Sequence, residues 1–136
     1  MFKEPFDIVP LKKNTDPRGS LFEILRFKDS HVPGEGYIYT FSINPGKRRG
    51  DHYHTRKLEW FSCVYGEAVV LLEDKDGNKK KVILSSENPA IIYCGPYTSH
   101  ALYNEKDDPA ILISYGSKQH DPADPDTIRK VIEYEA

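Results

Sequence analysis

The stretch that decides the fold is Gly46-Lys47-Arg48-Arg49-Gly50-Asp51-His52-Tyr53-His54-Thr55-Arg56-Lys57-Leu58-Glu59, followed by a glycine at position 66. Side chains two residues apart on a β-strand point to the same face, so His52 and His54 can present two imidazoles to one ion. The backbone can then change direction before Glu59, which can add a carboxylate from the following strand. A His-x-His pair alone is a weak signal, because two histidines on an exposed strand can simply form a polar surface.

A further histidine, His100, lies in the stretch Pro96 to Asn104, about 45 residues after the first pair. From a later strand, its imidazole can complete a set with His52, His54 and Glu59. Three imidazoles and one carboxylate suit a divalent transition metal, and Zn, Fe, Mn and Ni are all compatible. The alternative is a metal-free fold in which these side chains line a polar cavity.

Most of the chain is predicted to form short β-strands, because runs of aromatic and β-branched residues alternate with glycine and proline turn signals. The segment Asp74 to Asn78 between two such runs predicts a hairpin, and many short strands indicate an antiparallel sandwich or closed barrel. Asp126 to Tyr134 is predicted as one short C-terminal helix, with Asp126 at its N-cap. The predicted strands span 21–27, 37–43, 60–65, 68–72, 81–84, 90–93, 101–103 and 110–115.

The composition predicts one ordinary globular domain over residues 1–136, with 38% hydrophobic and 29% charged residues. A net charge of −2 and the absence of a basic stripe argue against a nucleic-acid partner. No apolar run approaches the ~20 residues that span a bilayer, so no membrane partner is expected. The segment Met1 to Pro5 lacks the hydrophobic region of a signal peptide, and Cys63 and Cys94 lie in apolar runs typical of buried, reduced thiols. These features predict a cytoplasmic protein.

The spacing of the first stretch resembles the first cupin motif, G(x)5HxH(x)3-4E(x)6G. Five residues separate the first glycine from the first histidine, four separate the second histidine from the glutamate, and six precede the last glycine. Pro96, His100 and Asn104 resemble the second cupin motif, PxG(x)2H(x)3N, although its glycine is missing and one gap is a residue shorter. The resemblance implies a single all-β cupin jelly-roll barrel. Its metal ligands would be His52, His54, Glu59 and His100.

Other blocks resemble enzymes of nucleotide-sugar metabolism. Asp16 to Ile24 looks like the D-x-R-G-x-(F/L)-x-E opening of the dTDP-4-dehydrorhamnose 3,5-epimerase family, and Arg49 to His54 resembles that family's R-G-x-H-x-Q. Histidine replaces the glutamine here, as in the R-G-x-H-x-H of sugar 3,4-ketoisomerases. Asp121 to Thr127 is similar to the D-P-x-x-P-D-T tail of the C-terminal cupin domain of bifunctional capsular-polysaccharide enzymes. Those domains bind zinc and epimerise C3 of a UDP-linked 4-keto-6-deoxy sugar.

The resemblance implies an isomerase that acts at C3 of a nucleoside-diphospho-4-keto-6-deoxyhexose in cell-surface polysaccharide precursor synthesis. It implies zinc as the metal, a nucleotide-sugar substrate and a homodimer whose exchange element is the N-terminal segment. A sugar 3,4-ketoisomerase, a metal-dependent cupin dioxygenase and a non-catalytic sugar-binding cupin remain alternatives. The Asp16 and Asp121 blocks argue against the dioxygenase.

The resemblance also implies roles for individual residues. The histidine of R-G-x-H is the base in the 3,5-epimerases and corresponds to His52, whose single lone pair cannot serve a metal and a proton at once. The tyrosine acid of that family falls near Tyr115. Arg49 could bind a diphosphate or stabilise an enolate, or it could form a buried pair with Glu23 or Asp16.

Arg18 and Lys57 are the remaining candidates for substrate binding. For Arg18 the alternative is a structural ion pair, which the sequence favours. For Lys57 the alternative is a solvated position in a turn, which is the more typical one for a lysine in such a segment.

Overall fold

The chain forms an all-β structure. The computed structural model describes residues 2–134, and within this range it contains twelve β-strands. The strands are β1 Phe6–Pro10, β2 Asn14–Asp16, β3 Gly19–Leu21, β4 Tyr37–Ile43, β5 Arg48–Tyr53, β6 Glu59–Tyr65, β7 Glu67–Glu73, β8 Lys79–Ser85, β9 Ala90–Cys94, β10 Ser99–Tyr103, β11 Ala110–Gly116 and β12 Ile128–Arg129.

Ten of the strands in the described range form two five-stranded antiparallel sheets. The first sheet has the order β1-β9-β6-β11-β4, and the second has the order β12-β5-β10-β7-β8. Strands β2 and β3 form a separate two-stranded hairpin. Hydrogen bonds do not close the two larger sheets into one ladder within residues 2–134, so the expected jelly-roll barrel is observed as two separate sheets.

The main hydrophobic core lies between the two sheets. Side chains alternate between the faces of a strand, so every second residue can point inward. Phe61, Cys63 and Leu112 contribute from the first sheet, and Val70 and Leu72 contribute from the second. Burying each such large side chain stabilises the fold by about 1.5–3 kcal/mol.

Smaller apolar clusters cover the outer faces. Trp60, Tyr93 and Tyr115 project outward from the first sheet and pack against the segments before β1 and after β3. On the second sheet, Ile132 of the C-terminal segment packs against Leu71 and Ala101. The segment after β12 therefore lies across the back of the strands that carry the histidines.

Most of the predicted strands are confirmed, with boundaries moved by one or two residues. The predicted hairpin is confirmed as the turn between β7 and β8, where the Asp74 carboxylate accepts hydrogen bonds from the backbone nitrogens of Asp76 and Asn78. The first predicted strand is wrong beyond Leu21, where β3 ends. After it, Arg26 forms ion pairs with residues 23 and 29 across a turn. Cys63 and Cys94 are buried and free, as expected.

The predicted C-terminal helix, Asp126 to Tyr134, is wrong. Ile128–Arg129 instead forms β12, which pairs with β5 opposite Tyr53 and His52. Asp126 has a positive φ of 47°, and its carboxylate binds backbone nitrogens of residues 55–57 rather than those of its own segment. Within residues 2–134 no helix is long and apolar enough to cross a membrane.

Candidate metal centre and cavity

Four side chains from three parts of the chain meet at one point between the sheets. His52 lies on β5, His54 directly follows β5, Glu59 begins β6, and His100 lies on β10. One ligand atom from each lies within 4.8 Å of the others. Glu59 Oε2 is 3.2 Å from His54 Nε2 and 3.3 Å from His100 Nε2. The structure thus brings together all four ligands predicted from the sequence.

A β-bulge aligns two of these histidines. His52 is the register partner of His100, and the pairing of β5 with β10 shifts just beyond His100. Gly50 and Asp51 occupy the bulge with φ values of 91° and 61°. A Cβ atom on Gly50 would lie 2.6 Å from the carbonyl oxygen of His100, so only glycine fits there. The glycine before the His-x-His pair is therefore a geometric requirement of the site.

The donor set fits a divalent transition metal. A tetrahedral ion with bonds of about 2.1 Å separates its ligand atoms by about 3.4 Å, close to the observed distances from Glu59 Oε2. His54 Nδ1 lies 2.7 Å from the carbonyl oxygen of Asp126 and donates to it, which leaves Nε2 facing the cluster. His54, Glu59 and His100 are buried, and His52 is half-buried.

The electrostatics favour the metal-binding forms of Glu59, His100 and His52 at neutral pH. Burial alone would raise the pKa of Glu59, but the contact with His54 and the neighbouring His100 and Lys57 hold that pKa below its ordinary value. Burial lowers the pKa of His100 to about 4, despite the opposing charge of Glu59. Burial and the charge of His54 also lower the pKa of His52. Neutral imidazoles and an ionised carboxylate are the forms that metals bind.

The other oxygen of Glu59 is held by a second group of side chains. The Tyr39 hydroxyl donates to Oε1, and Lys57 Nζ lies 3.8 Å from the same atom. Lys57 also donates to the Tyr37 hydroxyl at 2.6 Å. Burial and the charge of Glu59 raise the pKa of Tyr39, so its hydroxyl stays protonated. Oε1 therefore accepts the hydrogen bond from Tyr39 and pairs with Lys57, while Oε2 faces the histidines.

A cavity of about 180 Å³ opens beside this cluster. Its lining includes His52, Glu59 and His100 together with the apolar side chains of Phe41, Phe61 and Leu102. The Arg49 side chain also borders the cavity and is exposed, with its Nε donating to the Ser42 carbonyl at 2.7 Å. The remaining lining residues are Tyr39, Gly50 and Ser114.

The three residues predicted to bind substrate lie outside the histidine-glutamate cluster, each in a different environment. Lys57 is 8% exposed and does not line the cavity, so the solvated-turn interpretation is wrong. Arg18 lies at the tip of the β2–β3 hairpin with its side chain 91% exposed, and it pairs with Asp16. Arg49 forms no pair with Asp16 or Glu23 in the described residues, because those carboxylates pair with Arg18 and with Arg26.

Tyr115 lies on the outer face of β11 and not at the cavity. Its hydroxyl donates to the Pro33 carbonyl and accepts from the backbone nitrogen of Gly36, and its ring packs against Phe27. The cavity hydroxyls belong instead to Tyr39 and Ser114. The alternation of β4 could have indicated Tyr39, because it shares a strand face with Tyr37 and Phe41.

Two facing antiparallel sheets around a buried cluster of three histidines and one glutamate define a cupin-like protein. A family model described as the polysaccharide biosynthesis C-terminal domain matches residues 14–128. The chain belongs to this family.

Individual relatives agree with this assignment. The chain is 29% identical over 115 residues to UDP-2-acetamido-2,6-beta-L-arabino-hexul-4-ose reductase of Pseudomonas aeruginosa, covering 84% of this chain and 30% of the relative. It is 25% identical to the capsular polysaccharide assembling protein CapF of Staphylococcus aureus, with a TM-score of 0.69 over 90% of this chain and 35% of CapF. The chain therefore spans about a third of the length of these relatives.

A smaller enzyme of known structure shares this fold. ChmJ, a 3'-monoepimerase from Streptomyces bikiniensis solved in complex with dTDP-quinovose, has a TM-score of 0.78 at 20% identity. The match covers 88% of this chain and 67% of ChmJ. At this identity the likeness shows a shared fold.

Proposed function

We propose that this chain is an epimerase or isomerase that acts at C3 of a nucleoside-diphospho-4-keto-6-deoxyhexose in the synthesis of polysaccharide precursors. The observation that carries the proposal is the His52-His54-Glu59-His100 cluster, which opens on a partly apolar cavity with an exposed arginine at its edge. The family and the nucleotide-sugar proteins that share the fold support the same substrate class.

The chemistry needs a base, an acid and a means of stabilising negative charge. A ketone at C4 acidifies the hydrogen on C3, and its removal leaves an enolate. Return of a proton to the opposite face of C3 inverts the configuration. When bound, a divalent metal would supply Lewis-acid stabilisation of the enolate oxygen.

The residues around the cavity suit these tasks. Arg49 offers a planar guanidinium to a substrate diphosphate from the cavity edge. Phe41 and Leu102 contribute apolar lining that suits the C6 methyl group of a 6-deoxy sugar better than a hydroxymethyl group. The Tyr39 hydroxyl borders the cavity and donates to Glu59, so it holds that carboxylate in place. Tyr115 faces away from the cavity, so in this proposal it is not the acid and the proton returns from solvent.

His52 is suited to two different roles. It is the least buried member of the cluster, it borders the cavity, and its imidazole is neutral at pH 7 because its pKa is lowered. A neutral imidazole can complete the metal shell, or it can take the C3 proton while the other three residues hold the ion. The two roles differ in what happens to the metal when the ring is removed.

A sugar 3,4-ketoisomerase is the second candidate, because Arg49 to His54 reads R-G-x-H-x-H. The same enolate serves both reactions. Return of the proton at C4, through an enediol, moves the ketone to C3 instead of inverting C3.

The test is solvent exchange followed by NMR. The metal-loaded protein is incubated with dTDP- and UDP-4-keto-6-deoxyhexoses in deuterated water. We expect deuterium at C3 for an epimerase and a relocated ketone for a ketoisomerase. A protein that binds these sugars without exchange would instead be a binding module, and one that consumes oxygen would be a dioxygenase. Either result would overturn the proposal.

His52→Asn then separates the two roles of this residue. We expect exchange to fall by about 10²–10⁴-fold if His52 is the base, with about one metal per chain retained. Loss of the metal together with activity would make His52 a ligand. His120→Asn is the matched control, because His120 is exposed and lies outside the cluster, and it should leave exchange and metal content unchanged.

A further inference from the structure

The C-terminal segment is bound to β5, the strand that carries His52, by the pairing with β12 and by several further hydrogen bonds. Lys130 donates its backbone nitrogen to the Asp51 carbonyl at 2.8 Å, and the Ile132 backbone nitrogen donates to the Asp51 carboxylate at 3.0 Å. Arg48 binds that carboxylate and also the carbonyl of Ile132. This segment therefore follows β5 along its length and reaches the metal cluster at its N-terminal end.

Asp126 makes the contacts at that end, through its carbonyl group and its carboxylate. Its carbonyl oxygen accepts from His54 Nδ1 at 2.7 Å. Its Oδ1 accepts from the backbone nitrogen and the hydroxyl of Thr55, at 2.8 and 2.6 Å. Its Oδ2 accepts from the backbone nitrogens of Arg56 and Lys57, at 2.9 and 3.0 Å. One residue thus binds a histidine of the cluster and all three residues that follow it.

The loop that Asp126 holds is the connection between two predicted ligands. Residues 55–57 carry the chain from His54 to Leu58 and Glu59, and from the second sheet to the first. Three consecutive backbone nitrogens that converge on one carboxylate fix the path of this connection. Burial acts to raise the pKa of Asp126, but these hydrogen bonds hold it below its ordinary value, so the carboxylate is charged.

We propose that Asp126 is a positioning residue of the metal centre, which sets the ring orientation of His54 and the separation of His54 from Glu59. The inference rests on the metal centre of the proposed function. It adds a residue that lies some 70 positions from His54 in the sequence and outside the four-residue ligand set. A hydrogen-bonded partner of a ligating histidine fixes its tautomer and commonly changes metal affinity about 10- to 100-fold.

Asp126→Gly and Asp126→Asn test the proposal with cobalt(II) as the probe. Both residues tolerate the positive φ of 47°, so the backbone is not strained, but the carboxylate bonds to residues 55–57 that anchor the carbonyl of residue 126 against His54 are lost or weakened. We expect the Kd for cobalt(II) to rise about 10- to 100-fold. The visible spectrum of the saturated protein should also change, because it reports coordination geometry. A role in stability alone would leave that spectrum as in the wild type.

Asp124→Asn is the matched control. Asp124 lies in the same segment and pairs with Arg56 at the surface, but it makes no contact with His54. We expect it to leave both the Kd and the spectrum unchanged. If the Asp126 variants do not fold, Thr55→Val removes only the hydroxyl bond at 2.6 Å and should raise the Kd about 2- to 10-fold.

The outcomes separate this inference from the proposed function. Wild-type affinity and spectrum in the folded Asp126 variants, or in Thr55→Val where those do not fold, would overturn the positioning role and leave the metal centre intact. A wild-type protein that binds neither cobalt nor zinc would overturn the metal centre and this inference with it.

Discussion

At the scale of single residues, Gly50 shows how one missing side chain brings two predicted ligands together. It sits in the bulge opposite His100 at a φ of 91°, and its backbone contacts the strand that carries that histidine. Gly46 has a similar φ of 75°, but a Cβ atom there would have no neighbour within 4 Å. The two glycines share one conformational requirement and differ in the space around them.

Replacing these glycines by alanine should separate the two effects. Gly46→Ala should lower the free energy of unfolding by about 1 kcal/mol, the cost of a left-handed conformation for a residue with a Cβ. Gly50→Ala should lower it by about 2–4 kcal/mol, because the Cβ atom also displaces the His100 carbonyl. Urea denaturation of both variants measures the difference. Equal losses would mean that the backbone at Gly50 relaxes without strain.

The residues of the cluster were predictable from two sources: strand geometry pairs His52 with His54, and the resemblance to the cupin motifs indicates the full set of four. His52 and His54 lie two apart, and glycines flank the motif at fixed distances. The environment of Lys57 and Tyr39 was not predictable, because it depends on contacts between residues 20 positions apart in the sequence. A lysine in a turn-like sequence is usually solvated, and only tertiary structure buries it next to a carboxylate.

At the scale of elements, the C-terminal segment stabilises the fold through one buried side chain. Ile132 is 1% exposed, whereas its neighbour Val131 is 52% exposed. Ile132→Ala should lower the free energy of unfolding by about 2–4 kcal/mol, because it leaves a cavity behind β7 and β10. Val131→Ala should change it by no more than about 0.5 kcal/mol. Similar small effects of both substitutions would show that the segment is not packed in solution.

The same segment explains why one predicted element is wrong. Local sequence favours a helix from Asp126, because a capping aspartate is followed by residues compatible with helix. The observed partners of that aspartate lie some 70 residues away, in the loop after His54. Strands such as Tyr37–Ile43 were predicted with their observed bounds, because alternation within one strand already indicates its buried face.

At the scale of the whole molecule, burial of neutral histidines makes stability depend on pH. The pKa of His100 is about 4 in the folded protein, and an unfolded histidine has a pKa of about 6.5. Between these values the unfolded chain binds more protons than the folded chain, so acid favours unfolding. In metal-free protein, the free energy of unfolding should fall as the pH drops from 6.5 to 4. The contribution of His100 to this loss is on the order of 3 kcal/mol.

Denaturation curves after treatment with a chelator, at several pH values, measure this dependence. Below about pH 4, Asp51 should add to the loss, because its pKa is lowered in the folded protein and it must then be protonated. A flat profile in that interval would contradict a buried neutral His100.

The origin of the four ligands in different sheets has a consequence for the lifetime of the protein. Glu59 begins a strand of the first sheet, whereas His52, His54 and His100 belong to the second sheet or directly follow one of its strands. An ion bound there would act as a reversible cross-link between the two halves of the sandwich. By mass action, free ion at a hundred times its Kd adds about 2.7 kcal/mol of stability. Metal supply would then govern how long the folded chain survives as well as whether it is active.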